Sequence, residues 1–163
     1  MKELKYIFAF LIACFLFSSC STSKQNSTSG AKSNFYSNML DSQNFRFVAQ
    51  STNPSRGRLR NLTSYYDVTV SKDTMQSYLP YFGRSYNPMI GETTSPLDFT
   101  STNFSYSVLP VKKDAWSITI KPKDKPSIQQ YYFTIFNNGA ATLNVTSTSS
   151  DPISFNGRIE KKK

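Results

Sequence analysis

From about residue 44 onward, apolar and polar residues alternate with a period of two. Phe45, Phe47 and Ala49 are interleaved with Arg46, Val48 and Gln50. Tyr66, Val68 and Val70 are interleaved with Asp67, Thr69 and Ser71, and Phe104, Tyr106 and Val108 with Ser105 and Ser107. The same pattern runs through Trp116, Ile118 and Ile120, through Leu143 and Val145, and through Ile153, Phe155, Gly157 and Ile159. Successive strand side chains point to opposite faces, so this spacing builds half-buried strands rather than amphipathic helices. Tyr131–Phe136 is apolar on both parities, which predicts a central strand. Asn138-Gly139 predicts a hairpin in which both residues take positive φ. Lys112-Lys113-Asp114 and Ser149-Ser150-Asp151-Pro152 read as further turns, and Pro122–Pro126 as a charged loop.

Hairpins in sequence order make an antiparallel sheet the economical topology. The expected fold is mainly β, a single antiparallel sheet system of about eight strands curled into a sandwich or open barrel. Short helical turns are expected only at 34–42 and 73–79. The 13 Phe, 10 Tyr and one Trp supply an adequate core, and 163 residues suit one domain.

The N-terminus reads as an address. Lys2 and Lys5 precede the apolar run Tyr6–Phe17, and Ser18-Ser19-Cys20 follows. A basic start, an apolar stretch and small residues form a secretory signal. The twelve apolar residues fall short of the roughly 20 that a spanning helix needs. Leu16-Phe17-Ser18-Ser19-Cys20 resembles the lipobox of bacterial lipoproteins, with Phe17 where an aliphatic residue is usual. That resemblance implies acylation of Cys20. The expected organisation is a signal peptide at 1–19, a lipidated Cys20 with a Ser/Thr-rich tether at 20–33, and the β domain at 34–163. Loss of residues 1–19 removes Lys2, Lys5 and Glu3 from the 19 basic and 10 acidic residues, leaving 17 against 9, a net +8. Ser21-Thr22-Ser23-Lys24 lacks the acidic residues that mark surface-displayed lipoproteins of Bacteroidota. The resemblance therefore implies an outer-membrane anchor with the domain facing the periplasm.

Composition excludes several chemistries. The chain has no histidine, so a Ser-His-Asp triad, a Cys-His dyad and a His-ligated metal site are impossible. Both cysteines, Cys14 and Cys20, lie in the first twenty residues, so the body has no disulfide. Asp98, Asp114 and Asp124 form no recognisable pair in sequence, and no cofactor or metal is expected. Nucleic acid is an unsuitable partner for an exported chain, despite its basic charge.

One segment breaks the alternation. Tyr78-Leu79-Pro80-Tyr81-Phe82-Gly83-Arg84-Ser85-Tyr86 sets four aromatics around a Pro and a Gly that can adopt positive φ. Together with Phe45–Ala49, Leu97-Asp98-Phe99, Asn138-Gly139 and Ile153–Ile159, it resembles lipoproteins carrying domain of unknown function 4251. That resemblance implies a fold and a location but no catalytic residue. The candidate binding surface is Tyr78, Leu79, Pro80, Tyr81, Phe82, Arg84 and Tyr86; the competing reading is that these aromatics plug one end of the sheet. Arg56, Arg58 and Arg60 are spaced to share one face of an extended stretch and are candidate anion binders. Asp73-Thr74-Met75 matches a short O-glycosylation pattern of Bacteroidota, against a simple helix N-cap at Asp73. The function expected is that of a non-catalytic envelope lipoprotein binding an envelope protein or anionic polymer. The alternatives are a carrier of small hydrophobic ligands inside the curled sheet and an undetected hydrolase.

Overall fold

The computed structural model describes residues 28–86, 95–112 and 115–162. The signal segment, Cys20 and Asp114 lie outside them. A helix, α1 (Thr28–Asp41), precedes nine strands. These are β1 (Phe45–Pro54), β2 (Arg60–Val70), β3 (Met75–Tyr78), β4 (Asp98–Ser101), β5 (Phe104–Lys112), β6 (Ala115–Pro122), β7 (Ile128–Phe136), β8 (Ala140–Ser147) and β9 (Ile153–Lys161). All pairings are antiparallel, in the order β4-β3-β2-β1-β9-β8-β7-β6-β5.

That order decides sandwich against barrel. The sheet's two edges, β4 and β5, are consecutive in the chain and joined by Thr102 and Asn103 alone. Three Cα steps reach about 11 Å at most, so the edges must approach each other. The sheet is therefore one layer nearly closed into a barrel. The seam is pinned from the β6–β7 loop. Asp124 accepts from Ser101 Oγ at 2.5 Å and from Thr102 N at 3.1 Å, and Lys123 N donates to Asn103 O at 2.7 Å. The Ser101 hydroxyl holds the Asp124 carboxyl below its ordinary range.

The alternation is borne out along β1 and β9, where the apolar parity faces the core. The barrel interior is filled by fully buried Phe45, Phe47, Tyr131, Phe133 and Phe155, with Ile118, Ile120 and Ile135. Phe133 meets Phe45 and Phe47 edge-on at 6.0 and 5.6 Å between ring centres, a preferred aromatic geometry. Tyr131 is also buried, and its hydroxyl lies 3.0 Å from Ser77 Oγ, which donates to Leu97 O at 2.7 Å. The buried polar group is thus satisfied.

Four expectations need correction. Residues 73–79 form no helical turn, because Met75–Tyr78 is strand β3 with Met75 and Ser77 facing inward; Asp73 therefore caps no helix. The strand β7 is internal to the sheet but buries one face only, leaving Phe136 exposed. The Asn138-Gly139 hairpin forms with a three-residue loop, in which Gly139 has φ +82° and Asn138 no positive φ. Gly139 N donates to Phe136 O at 2.9 Å, a turn closed by a single left-handed glycine. Gly83 likewise takes no positive φ; its reason is space, given below. The helix α1 also begins at Thr28, inside the stretch read as tether. It ends where Gln43 adopts φ 52° and Asn44 N reaches back to Met39 O at 3.2 Å, the bond pattern of a left-handed helix cap. Met39 and Leu40 are buried against the barrel, and Tyr106 donates to Leu40 O at 2.8 Å.

Candidate functional site

The end of the barrel away from α1 carries three loops. They are the β1–β2 loop (55–59), the start of the β3–β4 connection (79–86) and the β8–β9 loop (148–152). The strands β1, β8 and β9 separate this rim from α1: Tyr36 of α1 sits by Gly139 at one end of β8, and Asp151 follows the other.

Residues 84–86 run against 149–151. Ser85 bridges Ser150, Tyr86 N donates to Ser149 O at 2.7 Å, and Asp151 N donates to Arg84 O at 3.0 Å. Tyr81 locks this pairing. Its hydroxyl lies 3.0 Å from Arg84 O and 2.9 Å from Asp151 O, as donor to both carbonyls. Gly83 permits this fold-back, since a Cβ there would overlap the Tyr81 hydroxyl and stand 2.5 Å from Cζ. Burial raises the Tyr81 hydroxyl above its ordinary 10.0.

The hub is Asp151, a carboxylate whose side chain is 7% exposed. Burying such a group is costly unless it is paired. Oδ1 accepts from the Tyr86 hydroxyl. Oδ2 makes no hydrogen bond, but Arg56 Nε stands 3.7 Å away on a side chain that is 72% exposed. The bond to the Asp151 carboxylate, followed by burial, raises the Tyr86 hydroxyl above 10.0.

The candidate surface residues divide. Leu79 and Pro80 are buried, and Tyr81 is half-buried and internally bonded, so these three support the rim. Tyr78 is 48% exposed, Phe82 38% and Tyr86 56%. Tyr78 packs on Tyr66 at 5.4 Å, and Arg84 is exposed. Arg56, Arg58 and Arg60 do not share one extended face. The stretch 55–59 is a loop, and only Arg60 begins a strand. The loop instead delivers two of them to the aromatic segment: Arg56 to Asp151 and Arg60 to the Phe82 ring, 5.1 Å from its centre. Two stretches some twenty residues apart thus form one rim. Asp151, which sequence reasoning read as a turn residue, is what they share.

The remaining carboxylate candidates do not converge. Asp98 is exposed at the start of β4, and Asp124 pins its far end. Among the described residues no group of three His, Cys, Asp or Glu is placed to hold a metal. A shallow pocket of about 210 Å³ lies by α1, lined by Phe35, Asn38, Met39, Ser42, Asn44 and Lys161.

A comparison with curated proteins finds no match. Among solved structures, the fold is similar to the crystal structure of a DUF4251 family protein from Bacteroides eggerthii DSM 20697. The TM-score is 0.57 at 15% identity, covering 80% of this chain and 88% of that one. The family model described as Domain of unknown function (DUF4251) matches residues 28–159. This span takes in α1, the nearly closed barrel and the Asp151 rim, and the chain belongs to the DUF4251 family.

Proposed function

We propose that this protein is a non-catalytic cell-envelope lipoprotein, anchored through acylated Cys20 and facing the periplasm, that binds a partner through the Asp151 rim. The observation that carries the binding role is the convergence of Arg56 and Arg60 with Tyr86 and Phe82 on one loop cluster. Exposed aromatics and arginines are the side chains that dominate binding surfaces. The anchor rests on the signal-like N-terminus and the Ser18-Ser19-Cys20 sequence. The filled barrel interior favours a contact on the outside over a ligand carried within.

The test is fractionation of the native host. The wild-type chain should travel with membranes, take up labelled palmitate and resist protease added outside intact cells. The Cys20→Ser chain should be soluble or uncleaved, and unlabelled. Palmitate-free wild-type protein, or digestion from outside, would overturn the assignment.

A further inference from the structure

The rim's chemistry narrows the partner. Residues 55–60, 81–86 and 148–152 contain four arginines, Arg56, Arg58, Arg60 and Arg84, and a single carboxylate, Asp151. All four arginines are exposed, whereas Asp151 is buried. The surface therefore presents positive charge outward and keeps its acid beneath, the field an anionic partner requires.

Two of the guanidinium groups are also oriented. Arg56 meets Asp151 through Nε, which leaves the two Nη groups, the fork that grips a carboxylate, toward solvent. Arg60 lies over the Phe82 ring, a contact that leaves its in-plane N–H groups free. Between and beside these forks stand the part-exposed rings of Tyr78, Phe82 and Tyr86. A partner that matches must offer carboxylates and flat apolar faces together. Acidic sugars do so, since each ring has a C–H face and a carboxylate on its edge.

We propose that the rim binds an acidic polysaccharide, and that Asp151 is a positioning residue that holds Arg56 and Tyr86 for the sugar carboxylates. This deepens the binding reading above and rests on it. The anchor geometry agrees: Thr28 of α1 is eight residues from Cys20, and α1 lies at the other end of β1, β8 and β9 from the rim. A chain lipidated at Cys20 thus turns the rim away from its own membrane, toward polymer rather than lipid headgroups.

The experiment is a titration of the full chain, purified in detergent, with polygalacturonate. Neutral dextran, phosphatidylglycerol vesicles and a single-stranded oligothymidylate serve as competitors for the assignment. Polygalacturonate should bind best. Arg56→Lys keeps the charge but loses the fork, and should weaken binding about tenfold. Asp151→Asn makes the chain more positive, so unspecific attraction would tighten binding; positioning requires a loss of similar size. Arg46→Gln removes a charge remote from the rim and should leave binding within about twofold. Thermal melts check each fold, and if Asp151→Asn does not fold, Arg56→Lys decides alone. Equal or tighter binding by Asp151→Asn or Arg56→Lys, equal binding of dextran, or tighter binding of vesicles or oligonucleotide would each overturn the proposal. If polygalacturonate is ignored while Cys20 is acylated and the rim crosslinks to a protein, the acidic-sugar assignment alone fails.

Discussion

Removing one oxygen, by Tyr81→Phe, isolates the bond that closes the rim. The substitution keeps the ring and deletes the hydroxyl that reaches Arg84 O at 3.0 Å and Asp151 O at 2.9 Å. Arg84 O still accepts from Asp151 N at 3.0 Å, so the carbonyl left short is that of Asp151. A net hydrogen bond contributes about 1 kcal/mol, and a part-buried carbonyl without its donor adds up to about 1 more. The expected loss is therefore about 1 to 2 kcal/mol, or about 4 to 8 °C in Tm for a domain of this size. Urea unfolding followed by the fluorescence of Trp116, which is 8% exposed, reads it directly. Gly83→Ala supplies the second leg. Its Cβ would displace the Tyr81 ring, so it should be costly in the wild type and nearly free beside Tyr81→Ala. The coupling should be about 1 to 2 kcal/mol. An unchanged Tyr81→Phe midpoint, or additive effects of Gly83→Ala and Tyr81→Ala, would refute the closure.

Three further outcomes follow from the barrel. Burial raises the hydroxyls of Tyr131, Tyr106 and Tyr81, and the Asp151 bond raises that of Tyr86. Below the unfolded value near 10.0 both states keep these protons, and the full stability is present. Above it the unfolded chain loses them first, so stability should fall as pH rises; a flat profile in urea melts from pH 9 to 11 would contradict the burial (about one unit either side of that value). Phe133→Ala opens a hole between Phe45 and Phe47 and should cost about 3 to 5 kcal/mol in the same melts. Gly157→Ala places a Cβ against the Val48 carbonyl, which is backbone and cannot swing away. It should cost about 3 kcal/mol or more, and a folded variant of wild-type Tm would show that β1 and β9 lie farther apart.

How far the sequence reaches depends on the range of the interaction. Strands such as β1 and β9 are legible because the period of two is written in neighbouring residues. The barrel is not, since closure follows from strand order and the two-residue β4–β5 link, which no local pattern encodes. The segment 73–79 misleads because its four strand residues, Met75–Tyr78, are too few to show a period. At the rim, Tyr78–Tyr86 is conspicuous by its aromatics, and Arg56–Arg60 by its charge. Their meeting is invisible, because Asp151 lies 65 residues from its Tyr86 partner and 70 from Tyr81. In sequence Asp151 stands before a proline in a serine-rich turn, where an aspartate is ordinary. Only the folded chain makes it a buried carboxylate.

The role of the rim is tested most directly by photocrosslinking in living cells of the native host. A photoreactive side chain replaces Phe82 on the rim in one strain and Leu109 on exposed β5 in another, both at surface positions. A rim that binds gives a discrete, reproducible adduct from position 82, lost on adding Arg56→Lys, and none from position 109. Equal adducts from both positions, or none from position 82, would contradict the rim as the binding surface.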